Sequence, residues 1–262
     1  MALTYTTIPL QVEGVNLNLS TIHKLNANPP ILFLHGFGSC KEDLADIVLN
    51  PALKNYGYLA FDAPGCGHSQ SDDLATTDIS FLVATASAVL SHFQITKFHL
   101  MGHSMGGLTA LLLAHKYPDR VLSFVDIKGN LAPEDCFLSR QIFNFPSDHP
   151  EDFLDTFIIR TRETKSFASP LYASILRARV QAGAVRPIFE SMVRLSDNED
   201  LLGMFLGLEC PKIVHVWGGE QRAVVLRAPR KGMVWNWRRF CKVAISLCIP
   251  TQSRCGGELQ YF

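Results

Sequence analysis

Gly102-His103-Ser104-Met105-Gly106-Gly107 lies between an apolar stretch at 97–101 and a run of helical spacing at 108–115. The first reads as a buried strand and the second as a helix, so the G-x-S-x-G sits on a strand-to-helix turn. Such a turn is a nucleophile elbow, tight enough that only glycine fits its flanking positions, with the Ser104 hydroxyl held at the helix N-terminus. Unpaired backbone N–H groups and the helix dipole there can stabilise a developing negative charge.

Upstream, apolar residues 31–34 run straight into His35-Gly36-Phe37-Gly38, a second glycine-rich loop at a strand end. Together the loops predict an oxyanion hole from the backbone N–H groups of Met105 and Phe37, with His35, Gly36, Gly38 and His103 supporting the loop or the pocket wall. Further outward, residues 4–9 and 15–22 alternate around Glu13-Gly14 and predict an antiparallel hairpin. Spacing at Leu44, Ile47, Val48 and Leu53 predicts a helix, and 58–61 a strand ending in Asp62-Ala-Pro-Gly-Cys-Gly-His-Ser. Residues 79–93 predict a helix capped by Asp78, and 121–127 another strand. Strand, loop and helix repeated in this order indicate a parallel α/β sheet with its sites at the carboxyl ends of the strands.

Residues 130–208 hold helical stretches at 153–162, 170–182, 187–194 and 200–208, with no convincing buried strand. Inserted between sheet strands, such a block makes a helical lid, and the strand pattern resumes at 212–217. The expected organisation is a core at 1–129, a lid at 130–208, a core strand at 209–220 and an atypical basic tail at 221–262.

At His35-Gly-Phe-Gly, Asp62-Ala-Pro-Gly-Cys-Gly-His-Ser, Gly102-His-Ser-Met-Gly-Gly, Tyr117-Pro-Asp-Arg and the 212–217 strand, the chain resembles the α/β-hydrolase superfamily, in its serine-nucleophile branch with a helical lid. The resemblance covers roughly residues 1–220. It implies an eight-stranded, mostly parallel sheet flanked by helices, Ser104 as nucleophile, and hydrolysis without metal or cofactor of a small hydrophobic ester, lactone, thioester or amide. A lid rich in Phe137, Phe143, Phe145, Phe153 and Phe157 suits an apolar acyl or aryl group.

A serine hydroxyl becomes a nucleophile only when a histidine takes its proton and a carboxylate fixes that histidine. Relatives tend to carry an acid where this chain has Lys128. Asp126, two residues earlier and on the same face if the strand continues, is one candidate acid. Glu220 is the other, one residue short of the usual offset after the seventh strand. The family histidine belongs near the C-terminus after an eighth strand, for which 243–249 is a candidate. The last histidine is His215, and none follows it. The expected state is therefore an impaired hydrolase, with a non-catalytic binding protein as the alternative.

Composition sets outer limits. The 262 residues hold 24 Lys+Arg and 24 Asp+Glu, and 47% are hydrophobic. That excludes a disordered chain and a uniformly basic nucleic-acid binder. The zero sum hides two unlike parts, since residues 221–262 contain 8 Lys+Arg and one acid. This boundary marks a C-terminal stretch foreign to the family body, as alternative splicing or read-through would produce. No apolar run approaches the roughly 20 residues of a membrane span. No secretory signal is visible at the start, and the 7 cysteines form no C-x-x-C pair, so a cytoplasmic protein with reduced thiols is expected.

Overall fold

The computed structural model describes residues 2–164, 169–215 and 223–226. Strands β1 (Thr4–Val12) and β2 (Val15–Lys24) form the antiparallel hairpin, turning at Glu13 (φ 49°) and Gly14 (φ 87°). The central strands are β3 (Ile31–Leu34), β4 (Tyr58–Phe61), β6 (Phe98–His103), β7 (Val121–Ile127) and β8 (Lys212–His215), with a two-residue β5 (Gln70–Ser71) beside β2. With β9 (Ala223–Leu226) at the far edge, the spatial order is β1-β2-β4-β3-β6-β7-β8-β9, and β4-β3-β6-β7-β8 run parallel. Strand order switches at β3, which has β4 on one side and β6 on the other, so the loops after β3 and β6 leave neighbouring strands at the carboxyl ends of the sheet. That is where an open α/β sheet places its ligands.

Every side chain of β3 and β4 is buried, which fits strands covered on both faces. On one face Leu32, Leu34, Leu59, Phe61, Leu100 and Phe124 pack with helices α1 (Ile79–His92) and α2 (Met105–Lys116). The opposite face carries Ile31, Phe33, Tyr58, Met101, Val125 and Ile213, packed with Leu44, Ile47 and Leu53. Asp78 caps α1, its carboxylate accepting the Phe81 N–H at 2.8 Å; such a cap contributes about 1 kcal/mol.

Two departures from the sequence reading have local causes. Where Leu44–Leu53 spacing predicts a helix, the chain makes only 3-10 turns at Ala45–Leu49 and Pro51–Leu53. Proline supplies no N–H and disfavours helical geometry before it, and Asn50 is accordingly extended (φ −71°, ψ 123°). At the far edge of the sheet, β9 (Ala223–Leu226) pairs antiparallel with β8, within the stretch read as a tail with no strand before 243. Among the described residues the sheet has eight strands in its ordered path, with β5 pairing beside β2 as a ninth. The 243–249 strand candidate lies outside the described residues.

Between β7 and β8 the chain forms short 3-10 turns at Pro133–Cys136 and Ser139–Asn144, then α3 (Pro150–Glu163), α4 (Ser169–Arg179), α5 (Val185–Asn198) and α6 (Leu201–Gly207). This insert is joined to the sheet edge by backbone bonds: Gly67 N–H donates to Arg179 O at 2.7 Å and Gln181 N–H to Gly65 O at 2.9 Å. Phe153, Phe157 and Phe189 pack on one another, with Phe145 edge-on to Phe153 at 5.2 Å. Phe137 and Phe143, expected in an apolar pocket, are instead 52% and 51% exposed. They sit in or beside 3-10 turns, whose threefold repeat turns only part of a short segment inward.

Candidate active site

Ser104 stands between β6 and α2 with φ 52° and ψ −120°, a conformation that costs a non-glycine residue free energy. The surroundings enforce it. Ser104 N–H donates to Ile127 O at 2.9 Å, and Ser104 O accepts Gly107 N–H at 2.7 Å and Leu108 N–H at 3.1 Å. A Cβ on Gly102 would lie 2.4 Å from Gly106 O, and one on Gly106 would lie 2.2 Å from Leu34 O. Both glycines are therefore dictated by backbone approach. Met105 is the first helical residue, so its N–H has no acceptor within the helix.

The loop after β3 is organised by His35, which is buried. Its Nε2 accepts Ala63 N–H at 2.9 Å, which leaves the ring proton on Nδ1 to donate to Gly36 O at 2.8 Å. Burial lowers the His35 pKa and keeps the ring neutral. Gly36 O also accepts Ser39 N–H at 3.0 Å. The Gly36 carbonyl and the Phe37 N–H belong to one planar trans peptide and point in opposite directions. Fixing one fixes the other. Gly38 (φ 76°) lies beneath Leu176 and Tyr172, and Tyr172 donates its hydroxyl to Phe37 O at 3.3 Å. The Phe37 ring packs on Phe189 at 4.6 Å.

Asp62 is wholly buried below this loop. Its carboxylate accepts Lys41 N–H, Lys41 Nζ and His68 N–H, each at 2.9 Å. Lys41 Nζ also meets Glu42 at 2.7 Å. Burial opposes charge on Lys41, but Glu42 and Asp62 outweigh it and raise its pKa. Cys40, Glu42 and Asp62 bring potential metal-ligand atoms within 4.8 Å of one another, and the Lys41 ammonium bonds both carboxylates.

Asp126 is also wholly buried, near the end of β7. One carboxyl oxygen accepts Gly129 N–H at 2.9 Å, and the other has no hydrogen-bond partner among the described residues. Burial pushes its pKa up to about 7. The carboxyl rests against Gly107 and Gly129. The strand ends at Ile127 and Lys128 turns left-handed (φ 52°), so the alternation expected to put Asp126 and Lys128 on one face stops short. His103 packs its Nδ1 against Gly36, and burial, with Lys128 nearby, lowers its pKa to about 4. Among the described residues no histidine nitrogen bonds the Ser104 hydroxyl. Glu220 lies outside the described residues, as do 227–262.

A family model, described as the alpha/beta hydrolase fold, matches residues 29–176. The chain belongs to the α/β-hydrolase fold family. It is 42% identical over 96 residues to a dihydrolipoyllysine-residue acetyltransferase component of the acetoin cleaving system of Pseudomonas putida, covering 36% of this chain and 25% of that protein. A protein phosphatase methylesterase 1 of Candida albicans is 28% identical over 213 residues, 74% of this chain and 56% of that protein. The chain thus spans only part of the length of the curated relatives it matches. Among solved structures, a thermophilic esterase from Thermogutta terrifontis superposes with a TM-score of 0.60 at 17% identity, over 80% of this chain and 79% of that one.

Within this α/β-hydrolase fold, sequence reasoning missed three residues that shape the site. Lys41 closely follows the loop after β3 but shows no pattern of its own. Tyr172 and Phe189 come from helices of the insert more than 130 positions downstream of Phe37. Only long-range packing brings them there, so no local signal marks them.

Proposed function

We propose that this chain is a serine-hydrolase scaffold for a small hydrophobic ester, lactone, thioester or amide, impaired in turnover by the lack of a C-terminal histidine. Ser104 Oγ attacks the substrate carbonyl, the Met105 and Phe37 N–H groups receive the oxyanion, and water resolves the acyl-enzyme. Asp126 or Glu220 stands as acid of the triad. The observation that carries the reading is the strained Ser104 between strand and helix, beside a loop whose peptide direction is fixed by His35. The esterase and methylesterase relatives support the acyl-transfer class. Impairment rests on no histidine nitrogen bonding the Ser104 hydroxyl among the described residues, with His35 engaged at both nitrogens, and on the given sequence carrying no histidine after His215.

A fluorophosphonate probe tests this directly. It should label the protein slowly, and Ser104→Ala should abolish the signal. Replacing residues 221–262 with a histidine-bearing family C-terminus should raise labelling and switch on ester hydrolysis. Labelling that survives Ser104→Ala, or continued inactivity of the folded chimera, counts against the proposal. The second reading, a non-catalytic binding protein, is favoured by the same unassisted hydroxyl. It predicts no labelling together with micromolar binding of an apolar ligand.

The free thiols of Cys40, Cys66 and Cys136 support a reducing, cytoplasmic setting. Among the described residues no helix is long and apolar enough to cross a membrane. The partner in this reading is the apolar acyl substrate, not a nucleic acid or a membrane.

A further inference from the structure

We propose that the groove between residues 138–141 and helices α3 and α4 binds an amphiphile, one apolar chain whose far end carries an oxyanion, a carboxylate or a phosphate. The groove encloses a cavity of about 520 Å³, lined on its apolar side by Leu138, Phe157 and Tyr172. That volume falls in the range of roughly 300–1,000 Å³ usual for small-molecule sites. Phe157, Arg160 and Thr161 stand at i, i+3 and i+4 on α3, and Thr164, which caps its C-terminus, continues the line along the cavity. The line is apolar at its start and becomes donor-rich at its end. Gln141 and Arg160 also line an adjoining cavity of about 450 Å³, so these two side chains stand where the cavities meet.

Charge selects the ligand class. No carboxylate lines either cavity among the described residues. Arg140 pairs with Asp197, Arg177 with Asp155, Arg179 with Asp43 and Arg186 with Glu190, whereas Arg160, Arg162 and Arg194 enter no ion pair among the described residues; of these three, Arg160 lines the cavities. The Arg160 guanidinium has no ion pair or side-chain hydrogen bond among the described residues. Arg160 is exposed, and its planar fork of donors beside an apolar wall matches a carboxylate or phosphate at the end of a hydrocarbon chain. At the other end, Tyr172 joins the cavity wall to the Phe37 carbonyl. With its near end at Tyr172 the chain would lie beside the loop that carries Phe37, and in this respect the inference rests on the proposed function.

Equilibrium binding separates the two ideas, because it needs no turnover. Decanoate, decyl phosphate and neutral 1-decanol are titrated calorimetrically into the full chain, Arg160→Gln and Leu138→Trp, with circular dichroism confirming the fold of each. At least one oxyanion ligand should bind about tenfold or more tightly than decanol, the scale of one charge-assisted contact. Arg160→Gln should erase that preference and leave decanol unchanged, and Leu138→Trp should weaken all three ligands. Equal affinities in the wild-type chain, an oxyanion preference that survives Arg160→Gln, or no binding at all would overturn the assignment. None of these results depends on whether Ser104 reacts.

Discussion

His35 sets the direction of the Phe37 N–H without touching it. The ring holds the Gly36 carbonyl at 2.8 Å, and the rigid peptide transmits that orientation to the next nitrogen. His35→Ala would leave the buried Ala63 N–H without its acceptor and open a cavity under the loop. We predict a loss of about 2–4 kcal/mol in urea unfolding. Fluorophosphonate labelling of the remaining folded protein should slow, since the donor peptide is no longer held. An unchanged labelling rate would show that the loop is fixed by other contacts.

Gly106→Ala tests the elbow itself. Its Cβ would lie 2.2 Å from Leu34 O and 2.5 Å from His35 O, both backbone atoms. The expected destabilisation is about 3 kcal/mol, at the upper end of ordinary overpacking. Gly207→Ala is the control, because a Cβ there meets nothing within 4 Å. A melting temperature for Gly106→Ala equal to that of the control would contradict the close approach.

Asp126 gives a pH signature. Its folded pKa of about 7 lies above the usual carboxylate value, so folding favours the protonated form. Its contribution to stability is most favourable below about pH 4, declines as pH rises toward 7, and is level above that. Asp126→Asn should flatten this slope. At pH 8 it should also stabilise the protein by on the order of 1–3 kcal/mol, after the unpaired amide's own desolvation cost. Parallel stability–pH curves for wild type and variant would refute it.

Lys41→Met removes the ammonium from the wholly buried Asp62. Stranding one charge of a buried pair costs about 3–5 kcal/mol. Lys41→Met combined with Asp62→Asn should recover much of that loss, and the coupling should persist in high salt because water and ions cannot screen it. Chemical denaturation of the four-member cycle measures both effects.

The sheet was legible because its strands are short apolar runs that end in glycine-rich loops. The limits of Val121–Ile127 and the capping of α1 by Asp78 could be read directly from residue type. Leu44–Leu53 was not legible, because apolar spacing says nothing about the interruption Pro51 imposes. Ser104 could be placed from its flanking glycines, whereas the Tyr172–Phe37 contact joins residues 135 positions apart and leaves no local pattern. Lys128 could be recognised as standing in an acid's place, but its left-handed backbone depends on how β7 meets the turn after it.

The two backbone bonds that tie residues 65–67 to residues 179–181 divide the helical insert mechanically. That corner pairs with the loop after β4, and prying it open means breaking main-chain bonds together with the packing of Gly65 on Ala184. The opposite side, from Leu138 to Ser169, has no such main-chain ties to the sheet among the described residues. Opening the insert at Arg179–Gln181 therefore costs main-chain hydrogen bonds that opening it on the Arg160 side does not.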